Sequence, residues 1–229
     1  MKNSKLIQAV SEFGSPLYVY DANKIKYQYN RLVKSFKSVK NLQLNYAVKA
    51  LSNISILKYL IDLGSGIDAV SIQEVHLALK GGINPEKIIY TPNGVSMDEI
   101  KLASELGVKI NIDNLSVLED FGNSHPEIPI CIRINPHILA GGNSNISVGH
   151  IDSKFGISIH QIPHLKRIVE NTKIRINGVH MHTGSDILDI DVFLRAAEIL
   201  FETANHFKDL DFIDFGLSLI HISEPTRQE

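Results

Sequence analysis

Short β-branched runs alternate with longer helical patterns along almost the whole chain, and that rhythm limits the possible folds more than any other feature. The runs are LQLNYAVKA (42–50), GIDAV (66–70), KIIYTPN (87–93), VKINID (108–113), IPICIRINP (128–136), IRINGVHMHTG (174–184) and DFIDFG (211–216). Between them lie helical patterns at 52–64, from Ser71, from Ser96 through Leu106, from near Leu115, near 161–171 and at 191–207. Ser71 with Glu74, and Ser96 with Glu99, have the spacing of a capping box, which marks a helix start. Strands that alternate with helices build βα units and a parallel sheet. Six complete units and a seventh strand exceed most open doubly wound sheets. They fit a (β/α)₈ barrel, typically about 250 residues, lacking its last unit and a half. PLYVYD (16–21) and a helix over 22–38 form an extra leading segment.

Composition narrows the function. The 229 residues carry 44% hydrophobic and 21% charged side chains and a formal net charge of -2, as an ordinary globular protein does. Lys and Arg are scattered, whereas nucleic acid or an anionic membrane needs concentrated positive charge. No apolar run reaches the roughly 18 residues of a membrane helix, and the N-terminus lacks the apolar core of a signal peptide. The single cysteine, Cys131, lies in the apolar run IPICIRI and reads as a buried structural thiol. A cytoplasmic protein acting on a small molecule, without nucleic-acid or membrane partners, is the expectation.

In an α/β barrel the active site lies at the C-terminal strand ends. Those ends carry Lys49, Asp68, Asn93, Asp113, Arg133 with Asn135, and His180 with His182. So many polar groups are costly in a core and natural around a ligand. Lys49 sits among Ala47, Val48 and Ala50. There it either loses hydration, which frees its amine to attack a carbonyl, or snorkels to water from the sheet's rim. His180 and His182 share one face by the period of two, but no third ligand with metal-site spacing accompanies them. A flat imidazole beside Thr183, Gly184 and Ser185 suits stacking on a planar ring and hydrogen bonding to a phosphate. SKFGI (153–157) reads, on its own, as the approach to the next helix.

YAVKA, GIDAVSIQEV, IRINP, SKFGI, GVHMHTGS and FIDFG resemble, in order and spacing, the barrel of diaminopimelate decarboxylase. That family belongs to the alanine-racemase-like class of pyridoxal-phosphate (PLP) enzymes, beside ornithine and arginine decarboxylases. The resemblance implies PLP as cofactor, held by Lys49, with His182 stacked on its ring and Ser185 on its phosphate. Asp68 and Arg133 match positions near the cofactor, and residues 153–157 would shape the substrate side. Asp186 stands where many members have glutamine. The implied reaction is decarboxylation of meso-diaminopimelate to L-lysine. A sister decarboxylase of ornithine, arginine or a carboxylated polyamine is the alternative, with a non-catalytic PLP-binding barrel a second.

The family continues past DFG with a glycine-rich phosphate loop, an eighth strand and a β-domain, and it acts as a homodimer when full length. Here Gly216 is followed by LSLIHISEPTRQE, of which LSLIHISEPTR resembles the translation of a sequencing-library adapter. Residues 1–216 are therefore expected to form an incomplete PLP-binding barrel domain, and 217–229 a non-native tail. The fragment itself is expected to be inactive.

Overall fold

The computed structural model describes residues 3–138, 155–184 and 190–216. Two helices lead the chain, α1 (Asn3–Phe13) and α2 (Ala22–Ser35). Asp21 caps α2 by accepting from the Asn23 and Lys24 amides. Then follow β1 (Asn45–Ala47), α3 (Ile54–Asp62), β2 (Gly66–Ala69), α4 (Ile72–Gly81), β3 (Ile88–Tyr90), α5 (Met97–Glu105), β4 (Lys109–Ile112), α6 (Leu115–Ser124) and β5 (Ile130–Asn135). A two-residue β6 (Ile157–Ser158), α7 (Ile162–Thr172), β7 (Ile176–Met181), α8 (Ile190–Ala204) and β8 (Phe212–Asp214) complete the order.

Seven strands form one parallel sheet in the order β1-β2-β3-β4-β5-β7-β8, and β6 adds to the end of β5. Sequential parallel neighbours with a helix in most crossovers are the wall of a βα barrel, as the sequence rhythm predicted. Among the described residues, β1 and β8 each pair on one side only. No described helix is long and apolar enough to cross a membrane.

The apolar layer lies outside the sheet. Ile67, Ala69, Ile110, Ile112, Ile130, Ile132, Ile134 and Val179 point away from the barrel axis. They pack with Leu57, Val75, Ala78, Leu118, Phe121, Leu165, Ile168 and Leu200 of the helices. Alternation then turns the intervening residues inward. These are Asp68, Asn111, Cys131, Arg133, Gly178, His180, Phe212 and Asp214, an unusually polar barrel interior.

The helix starts use their caps as the spacing suggested, with one difference. The Glu74 amide donates to Ser71 Oγ at 3.3 Å and the Glu99 amide to Ser96 Oγ at 3.3 Å. The carboxylates, however, reach beyond their own caps. Glu74 accepts from the Val70 amide at 2.8 Å, and Glu99 from the Tyr90 hydroxyl at 2.7 Å and the Ile72 amide at 3.4 Å. Glu99 thereby ties α5 to β3 and to the start of α4.

One expectation is corrected and two elements are added. The first strand ends at Ala47, because the chain leaves the sheet into a 3-10 turn, Val48–Ala50, closed by the Leu51 amide on the Val48 carbonyl. The leading segment contains α1, which the sequence reading passed over. Ile157, the last residue of SKFGI, belongs to β6 before a 3-10 turn (Ile159–Gln161) leads into α7.

Candidate active site at the barrel mouth

All strands run parallel, so their C-terminal ends share one rim. Lys49 stands on the 3-10 turn after β1, and it is exposed. Of the two readings open for Lys49, its exposure fits a lysine that reaches water from the rim, since nothing described covers its side chain. Its charge still acts on Asp68, Glu74 and His182.

Asp68, on β2, accepts a short hydrogen bond from the Thr91 hydroxyl. Burial pushes its carboxyl above the ordinary range and the nearby Asp214 adds to this, against Thr91, His180 and Lys49. Across the rim, Asp113 accepts from Asn93 Nδ2 and from Asn114 Nδ2. Arg133, on β5, is only 9% exposed. Burial lowers its pKa while Asp113 and Asp68 favour its charge. Its guanidinium carbon lies 4.9 Å from the centre of the Phe155 ring, within cation–π range. A buried guanidinium is tolerable only when partnered, and here two carboxylates and an aromatic face attend it.

His180 and His182 project inward together. His180 Nδ1 lies 3.1 Å from Asp214 Oδ2, although without the alignment of a good hydrogen bond. Asp214 is half-buried, and the desolvation opposes its charge, yet His180, the Gly216 amide and His182 outweigh that and hold its pKa below the usual range. His182 Nδ1 meets the Gly216 carbonyl at 2.5 Å. Burial drives its pKa down to about 4, against that hydrogen bond and with help from Arg133, His180 and Lys49. The ring is therefore neutral at physiological pH.

Lys49 after β1, Asp68 on β2, Arg133 on β5 and His182 after β7 thus stand toward or just past the C-terminal ends of parallel strands in one sheet. Ser185, together with Asp186, Ser153 and Lys154, lies outside the described residues. Thr91, Glu74 and Asp214 join the site without having been singled out from sequence. Asp214 could have been found by the inward period of FIDFG. Cys131 is buried as expected, and burial with Asp214 pushes its thiol well up, which keeps it protonated and inert.

The fold and rim define a βα-barrel protein with polar side chains gathered at its C-terminal strand ends. Residues 22–221 match the pyridoxal binding domain of the pyridoxal-dependent decarboxylases, and the chain belongs to that family. It is 37% identical over 217 residues to diaminopimelate decarboxylase of Methanothermobacter thermautotrophicus, covering 92% of this chain and 51% of that protein. The Campylobacter jejuni diaminopimelate decarboxylase is 36% identical over 219 residues, covering 91% of this chain and 54% of the relative. The crystal structure of Helicobacter pylori diaminopimelate decarboxylase complexed with L-lysine superimposes with a TM-score of 0.78 at 34% identity, over 93% of this chain and 56% of that one. The chain spans about half the length of the curated relatives it matches.

Proposed function

We propose that this chain supplies the cofactor half of a PLP-dependent decarboxylase that converts meso-diaminopimelate to L-lysine. The observation that carries the proposal is the placement of Lys49, Asp68, Arg133 and His182 toward or just past the C-terminal ends of parallel strands in one sheet. Those side chains suit a planar, anionic aldehyde. Lys49 offers an accessible amine to hold it, the neutral His182 ring offers a flat face, and the largely buried Arg133 offers positive charge. Asp68, whose charge is disfavoured by burial, can exchange a proton near the amine. PLP bound there supplies an electron sink for the pair released when the bond from Cα to a carboxylate breaks. Ser185 is the proposed phosphate ligand. The substrate follows the relatives of at least 30% identity, which are diaminopimelate decarboxylases, and a solved one carries L-lysine. The assembly proposed for the whole protein is a homodimer.

Borohydride trapping tests the site. The chain is mixed with PLP, reduced, digested and mapped by mass spectrometry. A pyridoxyl group on Lys49, absent in Lys49→Ala, is expected. A trapped group elsewhere, unchanged in Lys49→Ala, overturns the site. Carbon dioxide release by the full-length protein from meso-diaminopimelate, compared with ornithine and arginine, tests the substrate.

A further inference from the structure

His180 lies on β7 and His182 just past its end, on the same face, and the end of β8 reaches both. Asp214 Oδ2 stands 3.1 Å from His180 Nδ1. Asp214 Oδ1 accepts the Gly216 amide at 2.9 Å, and the Gly216 carbonyl in turn meets His182 Nδ1 at 2.5 Å. A carbonyl oxygen can only accept, so His182 Nδ1 must carry the proton and Nε2 the lone pair. Gly216 has little freedom to sit elsewhere. Its φ of +54° is in the left-handed region, and a Cβ there would run into the Met181 carbonyl and stand 3.1 Å from His180 Cε1. The carboxylate, the glycine and the imidazole therefore form one connected support, anchored on β7 by its own strand neighbour, His180.

We infer that Asp214 is a positioning residue for His182: through Gly216 it holds the imidazole in the Nδ1–H form and fixes its ring plane, leaving Nε2 as the acceptor at the barrel mouth. Free histidine side chains favour the opposite, Nε2–H, form, so the support selects against the intrinsic preference. The neutral state of the ring, with its pKa near 4, keeps that selection meaningful at working pH. The use of the held ring as a stacking face rests on the cofactor proposal; the tautomer does not.

The test is a long-range proton–nitrogen correlation spectrum of the nitrogen-15-labelled chain without PLP. Wild type is expected to show a protonated-type δ1 nitrogen and a bare ε2 nitrogen for His182. In Asp214→Ala the ratio of Nδ1–H to Nε2–H should fall about fivefold or more, the effect of losing one net hydrogen bond. Asp214→Asn should retain the wild-type form, because its amide oxygen can still accept from Gly216. An Nε2–H His182 in wild type, an unchanged ratio in Asp214→Ala, or loss of the form in folded Asp214→Asn overturns the inference. If Asp214→Ala does not fold, the wild-type and Asp214→Asn spectra decide it. Borohydride trapping at Lys49 separates the two ideas. A correct tautomer with no Lys49 adduct sinks the cofactor proposal alone, and an adduct with the wrong tautomer sinks this inference alone.

Discussion

At the lower end of the barrel, Gly178 of β7 leaves the space that the Phe212 ring of β8 fills. A Cβ on Gly178 would collide with Phe212 Cζ and stand 2.7 Å from Cε1 and Cε2, where carbon pairs prefer roughly 3.5–4.0 Å. The ring cannot retreat without cost, because Lys109 Nζ sits 5.0 Å from its centre and the register pairs Gly178 with Phe212 directly. Gly178→Ala should therefore destabilise by about 1–3 kcal/mol, the usual range for forcing a methyl into a filled space. With a urea slope of about 2–3 kcal/mol/M, the midpoint followed by far-UV circular dichroism should drop by about 0.3–1.5 M. Phe212→Ala alone should also destabilise, by up to about 3 kcal/mol for a half-buried ring. In that background Gly178→Ala should cost almost nothing, since the colliding atoms are gone. The two effects are thus strongly non-additive. If instead they sum to within roughly 0.5 kcal/mol, the contact is not what requires glycine, and the reasoning fails.

Tyr90→Phe should lower stability by about 1–2 kcal/mol in the same assay, because it removes the 2.7 Å hydrogen bond to Glu99 and leaves that carboxylate, among the described residues, the 3.4 Å contact with the Ile72 amide. His182 gives a pH signature. Its folded pKa, about 4, lies below the ordinary 6.5, so the unfolded chain takes up a proton between those values and the native chain does not. Its contribution is fully present above pH 6.5 and is lost as pH falls toward 4, by roughly 3 kcal/mol in all. Ring nitrogen shifts that titrate near pH 6.5 would contradict the buried, neutral imidazole.

The barrel was legible because its two layers obey two different periods. Ile110 and Ile112, or Ile130, Ile132 and Ile134, alternate with Asn111, Cys131 and Arg133, and helical patterns fill the gaps. Strand-end position then exposed Asp68, Arg133 and His182 without any knowledge of contacts. What stayed hidden depends on local closure or on distant partners. The 3-10 turn under Lys49 arises from a single hydrogen bond, which no periodicity announces, and it moves the amine from the sheet into solvent. The two-residue β6 is too short to carry a pattern. Helix α1 has apolar residues at Leu6, Ile7, Val10 and Phe13, yet none of its residues is buried, so its stripe has no counterpart in the barrel's own rhythm. Asp214 was visible in FIDFG, but its partners His180 and Gly216 meet only when β8 pairs with β7.

The same division of layers separates what holds this chain together from what it does. Buried aliphatic side chains between sheet and helices supply the hydrophobic stabilisation, at roughly 25 cal/mol per Å² of apolar surface removed from water. The inward face supplies little of it, since Asn111, Asp113, Arg133, Asn135 and His180 are all less than 10% exposed and polar groups so placed cost free energy unless partnered. Asp113 and Asp68 favour the charge of Arg133, and Asp214 Oδ2 lies 3.1 Å from His180 Nδ1. Replacing one member of such a set by an apolar residue leaves the other charge buried and alone, which is more damaging than removing both. Variation on the inner face is therefore constrained in pairs, whereas an outer isoleucine is constrained by volume alone.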